Sequence, residues 1–267
     1  MEPIQVRKYA GRDGPVLVLH GGPAAPGSAA GLAGPLAPEF AAWEPFQRRR
    51  GEVELTVDRH VTDLHDVAGG ADTIVGHSWG AMLALSYAAR YHADVTSLAL
   101  VGCGTYDAAS RAEYERRINA NLGTEGLRRK STLRAAIERA RDTPERDRLF
   151  AQLGALNLEA QSFDPLPDDD PESLVVDAIG HGETWEDVLR RQAEGIEPQS
   201  FDTIEARVLM LHGDADPHPG TMIRDSLVPY IPQLEYVEFA RCGHEPWRER
   251  HAREPFFAAL RSWLRRV

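Results

Sequence analysis

The chain has 267 residues, of which 41 are acidic and 30 basic, so its formal net charge is −11 at pH 7. This charge argues against nucleic acid or an anionic membrane as a partner, and no apolar run approaches the roughly twenty residues of a membrane span. Because the first residues also lack the basic-then-apolar order of a signal peptide, we expect a cytoplasmic protein in which Cys103 and Cys242 stay reduced.

Before residue 72 the chain alternates short apolar runs with turn-forming segments. Residues 4–9 and 15–19 are predicted to be strands, and residues 41–43 a further short strand. Residues 22–38 are rich in Gly, Ala and Pro, which indicates a loop followed by a short helix.

The sequence Gly76-His77-Ser78-Trp79-Gly80 follows a buried apolar run, residues 72–75, and precedes an Ala-rich helical segment, residues 81–89. Strand, sharp turn and helix in this order are the context of a G-x-S-x-G nucleophile elbow. A turn that lifts a serine hydroxyl above a sheet leaves no room for side chains beside it, which explains the two glycines. Ser78 is therefore the candidate nucleophile. The alternative is a serine that caps the following helix.

After a predicted strand at residues 96–101, the strand pattern stops from about residue 106 to 201. Helices are predicted at residues 109–121, 124–141, 145–158 and 181–194. Residues 164–171 are predicted to be a loop, in which the aspartates at 168–170 form a solvated linker. We expect this insert to be a helical lid that excludes water and supplies specificity contacts. The predicted domains are thus a core of residues 1–105 and 202–267, and a lid of residues 106–201.

Two strands and a final helix follow the insert. Residues 207–212 are predicted to be a buried strand and are followed by Gly213-Asp214-Ala215-Asp216. Residues 234–239 alternate like a strand and lead into Gly243-His244. An acid and a histidine that follow strands of a parallel sheet meet at its carboxyl edge. A nucleophilic serine needs such a base and an acid to orient it, here in the chain order Ser, Asp, His.

Together with His20-Gly21-Gly22-Pro23, these motifs resemble those of the α/β-hydrolase fold superfamily. The pairing of His-Gly-Gly-Pro with Ser-Trp-Gly is similar to the proline iminopeptidase-like group. This resemblance implies an α/β fold, a mostly parallel sheet flanked by helices, with a helical lid inserted after the strand that follows the elbow. It also implies cofactor-free catalysis by these residues: Ser78 as nucleophile, Asp216 as acid, His244 as base, and the backbone N–H groups of Gly22 and Trp79 as oxyanion donors.

One segment departs from that group. Its members carry an Asp-x-Arg-Gly-x-Gly-x-Ser stretch between the His-Gly-Gly-Pro loop and the elbow. Residues 44–51 of this chain keep the Arg-Gly pair as Arg50-Gly51 but lack the Asp and the Gly-x-Ser end. The resemblance therefore extends to the fold more firmly than to aminopeptidase specificity.

Other side chains near the motifs are alternatives for the same roles. Asp214 lies two residues before Asp216 and is suited to bracing the turn, and Asp107, after the strand at residues 96–101, is a weaker candidate acid. The other candidate bases are His212, His218 and His251. His244 is preferred because Gly243 lets its loop approach the elbow and because it follows the last strand.

Two clusters of acids and histidines resemble metal sites without showing a recognised ligand spacing. They comprise Asp58, His60, Asp63, His65 and Asp66, and His212, Asp214, Asp216 and His218. The first opens a predicted helix, where acids favour the amino-terminal turn, and the second overlaps the proposed triad. Neither a metal nor a cofactor is expected.

The lid sequence from His181 to Asp187 places three carboxylates and an indole at one predicted helix start. A carboxylate such as Glu183 could receive a substrate ammonium while Trp185 packs against its apolar part. The alternative is helix capping that begins at Gly182 or Thr184. Further candidates for the substrate pocket are Trp43, Phe46 and Cys103, each with core packing as the alternative role.

From these residues we expect a serine hydrolase that transfers the acyl group of a small ester, lactone or amide. A proline iminopeptidase-like aminopeptidase is the alternative. A small-ligand sensor built on a hydrolase scaffold is the alternative from another class, because a fold does not fix a function. The expected partner is a small-molecule substrate, and the sequence leaves the oligomeric state open.

Overall fold

The computed structural model describes residues 2–51, 53–167 and 176–266. Its sheet consists of β1 (Val6–Tyr9), β2 (Asp13–Leu19), β3 (Phe40–Pro45), β4 (Thr73–His77), β5 (Ser97–Val101), β6 (Arg207–Gly213) and β7 (Leu234–Phe239). The strand order is β1-β3-β2-β4-β5-β6-β7. The strand β1 is antiparallel to β3, and every other neighbouring pair is parallel. The prediction of a mostly parallel sheet is confirmed.

Helices flank this sheet. The helices of the described residues are α1 (Ala30–Ala33), α2 (Val57–Val67), α3 (Trp79–Arg90), α4 (Ala108–Arg139), α5 (Thr143–Gln161), α6 (Ala178–Ala193), α7 (Gly220–Leu227) and α8 (Arg253–Leu264). Side chains of α1 and α8 pack on one face of the sheet, and those of α2, α3 and α7 on the other. No helix in the described part of the chain is both long enough and apolar enough to cross a lipid bilayer.

The strand β2 shows how the core is built on two faces. Leu17 and Leu19 belong to the cluster with α2 and α3, whereas Val16 and Val18 belong to the cluster with α1 and α8. All four side chains are buried. Because both faces of the strand are covered, the sequence shows a continuous apolar run instead of alternation.

The segment between β5 and β6 contains α4, α5 and α6. The helices predicted at residues 109–121 and 124–141 are both present within α4, where the non-helical backbone of Gly123 (φ 59°, ψ −172°) separates them. A small apolar cluster joins α4 to α5; its buried members are Leu133, Ala140, Leu149, Leu153 and Leu156. The linker predicted at residues 168–170 lies outside the described residues.

The start of α6 differs from the prediction. The helix begins at Ala178, and the Asp177 carboxylate caps it by accepting a hydrogen bond from the Gly180 N–H at 3.0 Å. Gly182 and Thr184 therefore lie inside the helix, and the prediction that one of them starts it is wrong. The physical reason is that Asp177 already supplies a strong N-cap one turn earlier.

Candidate active site

Ser78 occupies the turn between β4 and α3 in a conformation that non-glycine residues rarely adopt (φ 54°, ψ −118°). Its side chain makes no capping hydrogen bond to α3, so the alternative of a capping serine is wrong. A Cβ atom on Gly76 would lie 2.3 Å from the Gly80 carbonyl oxygen, and one on Gly80 would lie 2.4 Å from the Leu19 oxygen. Both glycines are therefore required where this strained turn crosses the end of β2.

The loop after β2 passes directly beside Ser78. A Cβ atom on Gly21 would lie 3.3 Å from the Ser78 Cβ and 3.0 Å from the His77 Nδ1. The next residue, Gly22, has a φ of 124°, which favours glycine. Trp79 is the first residue of α3, where a backbone N–H has no acceptor within the helix. The two candidate oxyanion donors thus belong to the loop after β2 and to the first turn of α3, and both segments adjoin Ser78.

A buried network, which the sequence analysis did not predict, braces this loop. The Trp79 Nε1–H donates to the Gln47 Oε1 at 2.7 Å, and the Gln47 Nε2 donates to the His20 carbonyl oxygen at 3.0 Å. The Gln47 backbone N–H donates to the His20 Nε2 at 3.1 Å, and the His20 Nδ1–H donates to the Gly21 oxygen at 2.8 Å. Burial lowers the pKa of His20 to about 4, so this ring is neutral at pH 7.

Asp216 and His244 form a close pair on the loops after β6 and β7. The His244 Nδ1–H donates to the Asp216 Oδ2 at 2.7 Å, and both side chains are buried. Burial alone would lower the pKa of His244, but the Asp216 carboxylate outweighs it and raises that pKa. The pair therefore has the geometry and the charge distribution of a base held by an acid.

A second histidine contacts Asp216. The backbone N–H and the Nδ1–H of His218 both donate to the Asp216 Oδ1, at 2.9 and 3.0 Å. His212 donates from Nε2 to the His218 carbonyl oxygen at 2.9 Å and lies 3.2 Å from the Asp216 Oδ2. Burial opposes ionisation of Asp216, but His244, His218 and His212 outweigh it and hold the pKa of its carboxyl well below the usual range.

The His244 ring lies beside the elbow. Its centroid is 4.8 Å from that of His77, the residue before Ser78. The Ser78 N–H donates to the Val101 oxygen at 2.9 Å, and a Cβ on the adjacent Gly102 would lie 3.0 Å from the His244 Nδ1. Among the described residues, the Ser78 hydroxyl makes no hydrogen bond. A bond between nucleophile and base that tightens only when substrate binds is common in hydrolytic sites.

The alternative acids and the alternative base His251 have other partners. Asp214 is exposed and accepts a hydrogen bond from the Cys242 N–H at 3.2 Å, which fits its predicted role of bracing the turn. Asp107 caps α4. The His251 Nε2 lies 3.5 Å from the Asp164 carboxylate. None of these contacts involves the pair of Asp216 and His244.

The two clusters of acids and histidines also differ in their contacts. In the first, Asp63 pairs with Arg48 at 2.7 Å, and the His60 Nε2 lies 2.9 Å from the Thr184 hydroxyl of α6. From the second, Asp216 and His218 come together with His244, which lies outside the cluster: one carboxylate oxygen and one nitrogen of each ring lie within 4.8 Å of one another. The hydrogen bonds to Asp216 described above account for this proximity.

The candidate pocket residues of the helical segment between β5 and β6 are held by the core. Glu183 accepts a hydrogen bond from the Leu55 N–H at 3.1 Å. Trp185 is half-buried against the apolar core and stacks on His181, with ring centroids 6.4 Å apart. The His181 Nδ1 lies 3.2 Å from the carbonyl oxygen of Pro23, next to the candidate oxyanion loop. This turn of α6 therefore contacts the loop beside Ser78.

The remaining pocket candidates lie in other surroundings. The Lys8 ammonium lies over the Trp43 ring, 3.8 Å from its centroid, and the Arg7 guanidinium lies 5.3 Å from the centroid of Phe46. Cys103 is fully buried, and burial raises the pKa of its thiol to about 12. A separate cleft of about 440 Å³ lies between α4, α5 and α6. Its lining includes Phe150, Ile179 and Glu183 but none of the triad candidates.

The chain is similar to a known protein family and to several solved structures. A model of the Alpha/beta hydrolase family matches residues 16–259. A thermophilic esterase from Thermogutta terrifontis is 18% identical, with 98% of this chain and 94% of that chain covered and a TM-score of 0.63. An esterase from Exiguobacterium antarcticum is 18% identical, with 98% and 95% covered and a TM-score of 0.62. An E-2-(acetamidomethylene)succinate hydrolase is 18% identical, with 98% and 95% covered and a TM-score of 0.61. No curated protein matches the chain.

Proposed function

This chain belongs to the alpha/beta hydrolase family, and we propose that it is a serine hydrolase that cleaves a small ester or lactone through an acyl-enzyme on Ser78. The observation that carries the proposal is the conformation of Ser78. The Ser78 side chain does not cap α3, and its backbone is held at a φ of 54° beside the buried pair of His244 and Asp216. Backbone strain at a serine that caps nothing is typical of a functional position.

In the proposed reaction His244 removes the proton from the Ser78 hydroxyl through its Nε2, and the Ser78 Oγ attacks the substrate carbonyl carbon. The backbone N–H groups of Gly22 and Trp79 stabilise the oxyanion. The His244 imidazolium then returns the proton to the leaving alcohol, which leaves the acyl group on Ser78. Water repeats the sequence and releases the acid. Asp216 stabilises the imidazolium in both steps.

The contacts of the lid favour an ester over an amino-terminal peptide. An aminopeptidase needs a carboxylate that can receive the substrate ammonium. Glu183 and Asp187 instead accept hydrogen bonds from the backbone N–H groups of Leu55 and Val57, at 3.1 and 2.8 Å, and Asp187 also pairs with Arg190. A substrate ammonium would have to compete with these bonds, whereas an ester makes no such demand.

The test is labelling by a fluorescent fluorophosphonate together with turnover of p-nitrophenyl esters and amino-acid p-nitroanilides. We expect the wild type to be labelled, and Ser78→Ala and His244→Ala to lose both labelling and turnover. Ser131→Ala, which changes an exposed serine of α4, is the matched control and should behave like the wild type. A folded wild type without labelling or ester turnover would overturn the proposal. One slow event per chain, with no repeated turnover, would indicate a sensor instead.

A further inference from the structure

In the proposed triad His244 donates a hydrogen bond to one carboxylate oxygen of Asp216, and a second histidine donates to the other oxygen. The His218 Nδ1 and its backbone N–H lie 3.0 and 2.9 Å from the Asp216 Oδ1. Since a carboxylate only accepts hydrogen bonds, the Nδ1 atom of His218 carries a proton. The His218 side chain is 13% exposed, so little water competes for this bond.

The same ring lies between the proposed base and the lid. Its centroid is 4.4 Å from that of His244, with the two planes inclined by 22°, and 4.3 Å from that of Tyr114, inclined by 27°. Tyr114 belongs to α4 and accepts a hydrogen bond from the Gln161 amide of α5 at 3.3 Å. Three stacked rings therefore run from the proposed base to the first helix of the lid.

We propose that His218 is a positioning residue for the reaction at Ser78: it fixes the Asp216 carboxylate in the orientation that His244 needs, and it connects that carboxylate to α4. The inference rests on the proposed function. By sequence His218 is an alternative to His244 for the role of the base, whereas in the structure the two histidines bind different oxygens of Asp216. His244 lies beside the elbow. The His218 ring packs on the face of the His244 ring, on the side of the lid.

The charge state of His218 matters to this role. The ring is faced by Asp216, His244 and His212 and is stacked on Tyr114, and the His77 ring lies 4.8 Å from that of His244. Burial lowers the pKa of His218 despite the neighbouring carboxylate, so the ring is neutral at pH 7. A neutral ring does not repel the imidazolium that His244 becomes during turnover, whereas a charged one would.

Two substitutions separate the hydrogen bond from the stacking. His218→Phe keeps a planar ring between its two neighbours and removes the donor to Asp216. His218→Asn keeps an amide N–H near the Nδ1 position and removes the stacked ring. His92→Phe makes the same change at an exposed histidine away from the site, so it is the matched control. Each protein is assayed for kcat and KM with a p-nitrophenyl ester, and the pKa of His244 is followed by NMR with ¹⁵N-labelled histidine.

We expect His218→Phe to lower kcat by about 10- to 100-fold, the loss caused in metal sites by removing the hydrogen-bonding partner of a ligand, with KM nearly unchanged. The pKa of His244 should rise in this variant, because Asp216 no longer shares its charge with a second donor. His218→Asn should recover much of the kcat, and His92→Phe should match the wild type.

A His218→Phe protein with the kcat and the His244 pKa of the wild type would overturn the inference. So would a loss of thermal stability and kcat with an unchanged His244 pKa, since that pattern indicates a structural role alone. Activity that survives His244→Ala but not His218→Asn would also overturn it, because His218 would then be the base. Fluorophosphonate labelling tests the proposed function separately, and the NMR titration does not depend on turnover.

Discussion

Replacement of Asp216 by Asn tests whether the charge of this residue, and not merely its shape, supports catalysis. The Asp216 Oδ2 lies 2.7 Å from the His244 Nδ1 in a buried pair. At this separation, with an effective dielectric constant of about 20, a charge pair is worth about 4–6 kcal/mol, which corresponds to about 10³–10⁴ in rate. Because His244 becomes an imidazolium only during the reaction, most of this loss should appear in kcat.

The assay is steady-state hydrolysis of a p-nitrophenyl ester at pH 7.5, with the thermal midpoint measured to confirm folding. Asp214→Asn is the matched control. It removes a charge from the same loop, but Asp214 is exposed and its contact is the Cys242 N–H. We expect Asp214→Asn to stay within about threefold of the wild type, since exposed polar substitutions have small effects. A folded Asp216→Asn protein within tenfold of the wild type would refute the reasoning.

Three further predictions concern pH, the His244 loop and the elbow. Since Asp216 raises the pKa of His244 against the effect of burial, and the base must be neutral, kcat/KM should fall on acidification with a midpoint above 6.5; a pH–rate profile with a midpoint below 6 would contradict this. The Glu249 carboxylate accepts three backbone N–H bonds, and an amide cannot accept all three. Glu249→Gln should therefore lower the free energy of unfolding by about 1–3 kcal/mol, measured with denaturant, and reduce kcat. The control Glu254→Gln, at an exposed position, should do neither. Gly80→Ala should give no folded protein by circular dichroism, because its Cβ would meet a backbone oxygen of β2 at 2.4 Å, and Gly14→Ala, which has open space, should fold normally.

The sheet and the elbow were predictable because their signals are local. A strand covered on both faces needs a continuous apolar run, and β4 and β5 show one. The steric demand of the turn at Ser78 appears in the sequence as the two flanking glycines. The chain order of acid and histidine after two further strands then restricted the remaining candidates to a few loop residues.

The start of α6 was predicted wrongly because acidic residues on a helix can have more than one role. Glu183 and Asp187 resemble acids of a first turn, which interact with the amino terminus of their own helix. In the structure they accept the N–H groups of Leu55 and Val57, which precede or begin α2, so they serve the amino terminus of a different helix. Only the fold brings α6 to that place, and no local pattern in the sequence contains this information.

The contact between Gln47 and Trp79 was missed for a related reason. The two residues are separated by 32 positions, and no sequence motif contains both of them. A buried glutamine is stable only if its donors and acceptors are satisfied, and here the indole of Trp79 and the backbone of His20 satisfy them. A sequence shows which groups are polar, but it does not show which of them the fold buries together.

The helical segment between β5 and β6 is bound to the core at two places, which bears on how substrate specificity arises. Glu183 and Asp187 hold backbone N–H groups of the core from α6. At the other end, the carbonyl oxygen of Gln161 accepts the His244 N–H at 2.9 Å, and the Glu249 carboxylate accepts the N–H groups of Phe163 and Asp164, at 2.8 and 2.7 Å. A wide opening of this end would break bonds that position the proposed base itself. Specificity should therefore depend on a preformed arrangement of this segment, and substitutions at its contacts with the core should alter kcat as well as KM.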